Sequence, residues 1–196
     1  MKLVIIDYGA GNVFSVLNAC KYLGYNPVLT DNPITIKEAD KIIFPGVGSA
    51  SNAMQVLNTK GLGDVISKLE QPILGICLGM QLFFEHSQEG DQQGLSIIPG
   101  NIIRFQPKNS LRIPHMGWNR VALKPSILWN GLPESSYFYF VHSYHLPSHL
   151  YSIGDCYYGT ELTAAIQFQN YYGVQFHPEK SDKNGLLVLK NFIELT

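Results

Sequence analysis

At 196 residues and 45% hydrophobic, the chain has the length and apolar content for one α/β unit with a proper core. A formal charge of −1 and a pI near 6.6 offer no electrostatic footing for nucleic acid or an anionic membrane. Charged residues make up only 15%, against about a quarter in ordinary domains, so part of the surface is expected to lie against a partner.

The N-terminal apolar run is too short for a signal peptide or a membrane span. Cys20, Cys77 and Cys156 are too widely spaced for a zinc pattern or a disulfide framework, and a reduced cytoplasm is the expected setting. Residues 3–6 predict a strand, followed by Asp7-Tyr8-Gly9-Ala10-Gly11-Asn12 and helical periodicity over 13–23, closed by Gly24. Strand, glycine loop and helix invite a dinucleotide site. Phe14 stands where the third glycine belongs and is expected to block close helix–strand packing, so the loop reads as a tight turn at the sheet edge.

Val28 and Leu29 predict a second strand, and 40–44 a third that runs into Pro45-Gly46-Val47-Gly48-Ser49-Ala50. A strand ending in glycines exposes backbone N–H groups, with Ser49 or Ser51 available to cap a helix. The stretch reads either as a plain strand–helix turn or as half of an oxyanion hole. Helical segments over 52–57 and 62–69 then lead to a buried strand at 73–76 and a helix predicted over 78–86. Between these last two sits Cys77, with Gly75 and Gly79 at two-residue spacing. Gly-x-Cys-x-Gly is the pattern of a nucleophile elbow with sulfur in place of oxygen. The glycines are expected to let the strand turn sharply into the helix. The thiol would then lie at a helix N-terminus, where the thiolate is favoured, with the Leu78 N–H free for an oxyanion. The competing reading is a buried core cysteine.

Four βα units predict an open parallel sheet with ligands at the strand C-termini. After Gly94, short runs at 101–105, 119–123, 136–141, 152–158, 164–169 and 172–176 predict antiparallel or mixed strands extending that sheet. A helix over 185–195 ends the chain. No linker or repeat interrupts it, so 1–196 is expected to form a single domain. In the late stretch a strand ends at His177, and Glu179 follows Pro178. Positions i and i+2 of an extended segment share a face, which lets Glu179 accept from one ring nitrogen while the other faces a thiol. Alone, His-Pro-Glu reads as a surface turn; with the elbow, it completes a nucleophile, base and orienter.

Residues 75–81 (Gly-Ile-Cys-Leu-Gly-Met-Gln) and 175–179 (Gln-Phe-His-Pro-Glu) resemble the two signatures of the class I (triad) glutamine amidotransferases. Pro45-Gly46-Val47-Gly48 is similar to that family's oxyanion strand. Residues 7–12, Pro-His-Met-Gly-Trp-Asn at 114–119, Tyr-Phe-Val-His-Ser-Tyr at 139–144 and Glu-Lys-Ser at 179–181 further resemble the glutaminase subunits of imidazole glycerol phosphate synthase. The likeness runs over nearly the whole chain.

The resemblance implies a flavodoxin-like fold, an open mixed, mostly parallel sheet flanked by helices. It implies hydrolysis of L-glutamine to glutamate and ammonia through a thioester on Cys77. His177 would move the protons and Glu179 would hold the imidazole. Oxyanion donors are implied at Val47 and Leu78, beside Gly48, and glutamine contacts at Gln81, Ser143 and Tyr144. The ammonia would pass, within a heterodimer, to a (β/α)8-barrel cyclase subunit that forms imidazole glycerol phosphate and an aminoimidazole carboxamide ribotide in histidine biosynthesis. Asn12, His115, Trp118 and Lys180 would lie around the mouth facing that partner, and no cofactor or metal is implied. Close paralogues that feed ammonia to another synthase, such as one making amidino sugars, share these motifs. A non-catalytic scaffold would be marked by an incomplete triad, and a stand-alone cysteine hydrolase would not need Gln81 or the 140–144 stretch. His86 and His149 match no role and read as solvated surface, Cys20 and Cys156 as packing residues.

Overall fold

The computed structural model describes residues 1–9, 12–106 and 111–196; Ala10 and Gly11 of the expected glycine turn lie outside them. The first half of the chain forms β1 (Leu3–Ile6), α1 (Val13–Tyr22), β2 (Val28–Thr30), α2 (Pro33–Lys37), β3 (Lys41–Gly46), α3 (Ala50–Thr59), α4 (Leu62–Ile66), β4 (Ile73–Cys77) and α5 (Leu78–Gln81). Then follow β5 (Phe84–Ser87), β6 (Gln92–Gln93), β7 (Ile98–Arg104), β8 (His115–Leu123), β9 (Ser135–His142), β10 (Tyr144–His145), β11 (Ser152–Tyr157), β12 (Glu161–Phe168), β13 (Tyr171–Val174) and α6 (Asp182–Leu195).

Alternate residues of the central strands feed two cores. Leu3, Ile5, Ile43, Leu74 and Ile76 face a layer closed by α1 and α6, while Val4, Ile6, Ile42, Phe44 and Ile73 face one closed by α3 and α4. The amphipathic stripes match: Val13, Val16 and Cys20 of α1 meet Val188, Leu189 and Phe192 of α6 in one core. Ala53, Met54 and Leu57 of α3 lie in the other. Cys20 and Cys156 are both buried, and burial pushes each thiol up to about 12. Ser49 caps α3, its side chain accepting from Asn52 N at 3.4 Å. Phe14 does not block the packing of α1: it is 66% exposed on the outer face of the helix.

The main sheet has nine strands in the order β2-β1-β3-β4-β13-β12-β11-β8-β9. From β2 to β13 every pairing is parallel, in the flavodoxin-like order. From β13 to β9 every pairing is antiparallel. Register sets the site. Gly46 of β3 lies opposite Cys77, and Val174 of β13 lies opposite Ile76. The strand that ends in Cys77 is therefore flanked by the two strands that lead into the expected oxyanion stretch and into His177.

Two departures from the sequence expectation share one cause. The predicted helix over 78–86 stops at Gln81, and Phe84–Ser87 is a strand. It pairs in parallel with β7, Phe84 opposite Ile98, within a separate four-stranded sheet of order β10-β7-β5-β6. Pairing with a distant strand overrides the local helical pattern. His149 does not stand free in solvent either. Its ring meets Phe84 edge-on, and Nε2 lies 2.9 Å from the Pro99 carbonyl. Among the described residues no helix is long and apolar enough to cross a membrane.

Candidate active site

Cys77 has φ +54° and ψ −110°, a left-handed conformation that L residues rarely adopt, at the junction of β4 and α5. Such strain persists only where the surroundings over-determine it. Here the glycines do that by close approach rather than by their own φ angles. A Cβ on Gly79 would lie 2.0 Å from the Phe44 carbonyl oxygen, and one on Gly75 2.7 Å from Met80 N. One on Gly46 would lie 2.8 Å from Gly79 N. Backbone meets backbone, and the elbow is wedged in its turn.

Cys77, only 7% exposed, opens into a cavity of about 200 Å³ lined by Val47, Gly48, Leu78, Gln81, Glu89, His142, His177 and the 141–144 segment. This is below the roughly 300–1,000 Å³ of drug-sized sites and suits a ligand the size of an amino acid. The elbow (Cys77, Leu78), the glycine stretch (Val47, Gly48) and Gln81, Ser143 and Tyr144 thus converge on one space.

His177 Nδ1 lies 2.8 Å from Glu179 Oε1, both side chains being almost wholly buried. The link between them is a 3-10 turn, Pro178–Lys180, rather than the extended segment expected, yet it delivers the same contact. The backbone of His177 is held from both sides: its N–H donates to Tyr139 O at 2.9 Å, and its carbonyl accepts from Ser181 Oγ at 2.6 Å. Ser181 Oγ in turn accepts from Tyr139 N. Among the described residues His177 Nε2 has no hydrogen-bonded partner, and it is left for the thiol and the ligand. Burial pushes the imidazole down, but the Cys77 sulfur and the Glu179 carboxylate outweigh it and raise its pKa to about 10. The ring is thus set to hold a proton firmly once it has one, as a base that becomes an acid must.

Besides Val141 and His142 of the cavity wall, two residues at the site carried no assignment from the sequence. Gln175, wholly buried, donates from Nε2 to Cys77 Sγ at 3.6 Å and accepts from Gln81 Nε2 at 2.8 Å. It belongs to the Gln-Phe-His-Pro-Glu stretch, so its motif was visible although its contact was not. Glu89 lines the cavity, accepts from Ala50 N at 2.8 Å, and has its pKa raised by burial. It sits in the β5–β6 turn, where no motif marks it.

The four residues expected at a partner face separate in the structure. Trp118 is 54% exposed, Lys180 is exposed and Asn12 is half-buried at the start of α1. His115 is only 2% exposed, its ring stacked between Phe140 and Tyr158. It belongs to the core rather than the surface, because alternation along β8 turns Met116 and Trp118 outward and His115 inward. His86, by contrast, is 38% exposed and pairs with Asp91 at 2.8 Å.

The family model for glutamine amidotransferase class-I matches residues 4–195. An imidazole glycerol phosphate synthase subunit HisH from Haemophilus influenzae is 48% identical, covering 99% of this chain and 98% of its own. The HisH subunit from Bacteroides thetaiotaomicron is 43% identical over the full length of both. Among solved structures, a glutamine amidotransferase superposes with a TM-score of 0.76 at 17% identity, over 98% of this chain and 97% of its own. The PurLQS structure from Thermotoga maritima does so with 0.72 at 15%, over 98% and 97%. These last two likenesses speak to the fold, a mixed sheet flanked by helices.

Proposed function

We infer the chemistry from the premise that this chain belongs to the class I glutamine amidotransferase family, and within it to the HisH subunits of imidazole glycerol phosphate synthase. The protein is a glutaminase that works with a synthase partner in histidine biosynthesis. The observation that carries this is the strained Cys77 in one cavity with a Glu179-held His177 whose Nε2 is free.

The Cys77 thiol passes its proton to His177 and the sulfur attacks the side-chain carbonyl carbon of L-glutamine; the developing oxyanion is received by the backbone N–H groups of Leu78 and Val47, with Gly48 beside them. Each such donor contributes roughly 3–4 kcal/mol in comparable hydrolases. His177 gives its proton to the leaving nitrogen, and ammonia departs. The imidazole, now neutral, takes a proton from water as it attacks the thioester, and glutamate leaves. Glu179 keeps the ring oriented and its charge balanced throughout. Ser143 and Tyr144 hold the amino-acid end of glutamine. Glu89, the only carboxylate lining the cavity among the described residues, pairs with its ammonium.

The partner is a (β/α)8-barrel cyclase in a cytoplasmic heterodimer, which consumes the ammonia before it escapes. Trp118, Met116 and Tyr137 are large exposed side chains on β8 and β9 and form an anchor for that surface, to which Asn12 and Lys180 are also assigned.

The test is ammonia and glutamate release from glutamine by wild type and Cys77→Ala, each alone and with the cyclase plus its nucleotide ligand. Activation that vanishes in Cys77→Ala, while added ammonia still supports cyclisation, is the expected result. Glutaminase that this cyclase cannot stimulate would point to another synthase. No turnover under any condition would overturn the enzymatic reading.

A further inference from the structure

Behind the cavity wall runs a chain of hydrogen bonds that the proposed chemistry does not use. His115 and His142 are directly opposite in the β8–β9 ladder, so their side chains share a face. His142 Nδ1 lies 2.7 Å from the Tyr144 carbonyl, a group that can only accept, so this nitrogen carries the proton. His142 Nε2 is then an acceptor, and the N–H of His115 Nδ1 donates to it at 3.0 Å. His115 Nε2 in turn accepts from Asn119 Nδ2 at 3.2 Å. Each ring is neutral and locked in one tautomer. Burial supports this, pushing His115 down to about 4 and His142 to about 3.

The chain converges on one atom. The Tyr144 carbonyl also accepts from Gln81 Nε2 at 2.9 Å, and Gln81 bonds Gln175, which reaches Cys77 Sγ. His142 lines the cavity, but both of its ring nitrogens are spent on protein partners, so it has no donor or acceptor left for a ligand. Phe105 and Phe140 pack against its ring, and the titratable groups around it are His115, His145 and His177.

We propose that His142, backed by His115, is a positioning residue for glutamine binding: it fixes the Tyr144 carbonyl and with it the Ser143–Tyr144 wall of the cavity. The role rests on glutamine being the substrate. It predicts that removing the donor loosens substrate capture more than it slows the chemical step, since neither ring touches the reacting atoms.

The experiment compares wild type, His142→Phe, His142→Asn and His115→Phe in the complex with the cyclase, measuring KM for glutamine and kcat separately. His142→Phe keeps a ring but no donor, and should raise KM about tenfold, the size of one hydrogen bond lost, with kcat within about threefold. His142→Asn keeps an N–H near the position of Nδ1 and should recover most of the loss. His115→Phe should raise KM less, and the double phenylalanine variant should be no worse than His142→Phe alone. A KM in His142→Phe within about twofold of wild type, or no recovery in His142→Asn, would overturn the proposal. Nitrogen NMR of the whole chain gives a second test that needs no turnover. Both rings should stay neutral and protonated on Nδ1 from about pH 5 to 8, and mixed tautomers or titration in the ordinary histidine range would equally overturn it. A wild type that does not hydrolyse glutamine would overturn the functional reading, while the ring tautomers would still decide the hydrogen-bond chain.

Discussion

The two walls of the cavity are positioned by different forces. On the Cys77 side, backbone packs against backbone at Gly46, Gly75 and Gly79, with no space for a Cβ. On the facing side, the 141–144 segment is held by side chains, His142 and Gln81 converging on the Tyr144 carbonyl. A backbone wedge cannot relax, because in each case the backbone of α5 lies against the backbone of β3 or β4, which the sheet ladder fixes. A side-chain tether can be lost and leave the fold standing. The proposed nucleophile therefore sits on the rigid wall, and the proposed substrate contacts Ser143 and Tyr144 sit on the adjustable one.

The sharpest way to break that contrast is at the nucleophile itself. Cys77→Ala should lower kcat by about 10⁴-fold or more while the thermal transition stays close to wild type, read by ammonia release and calorimetry on one preparation. Next comes the wedge. Gly79→Ala should destabilise the fold by roughly 3 kcal/mol or more, since the opposing Phe44 carbonyl cannot give way. Gly48→Ala, at φ +98° with open space around it, should lose only about 1–2 kcal/mol, from backbone strain alone. Equal shifts in the urea midpoints of the two variants would contradict the packing account.

Glu179→Gln keeps an acceptor for His177 Nδ1 but removes the charge, and should reduce kcat about a hundredfold. The pH dependence follows from the same pair. The folded chain holds the His177 proton more tightly than the unfolded one, so this stabilisation is complete below about pH 6.5 and is lost as pH rises through about 10. Urea titrations across that window should show the loss in wild type and a shallower slope in Glu179→Gln. His115 and His142 have the opposite sign. Held neutral in the fold, they contribute stability above about pH 6.5 that falls away as pH drops towards about 4 and 3. The smallest effect is expected at Trp118. Its replacement by alanine should shift stability by no more than about 0.5 kcal/mol, yet weaken cyclase binding in a titration if it anchors the partner.

Much of the site was legible because its signals are local. Cys77 between two glycines announces an elbow, and a Glu two residues past a His keeps that contact whether the link is extended or a 3-10 turn. Other parts were not local. Phe84 follows a helical run, yet it pairs with Ile98, and no pattern in 78–86 reveals that strand. His115 sits in an informative stretch, but period-two alternation says only that His115 and Trp118 lie on opposite faces of β8. Which face is covered was decided by the elements packed on the sheet.

The sequence by itself determined the glycine-flanked Cys77, the His177–Glu179 pair proposed as its base and orienter, and the run of parallel βα units, because residue size, backbone freedom and short spacings are properties of a few consecutive residues. Tertiary structure alone decided that His115 turns inward to meet His142, that Glu89 reaches the cavity, and that a second sheet forms beside the elbow. Those outcomes depend on register between strands far apart in the chain, where a single-residue slip would move every side chain to the other face.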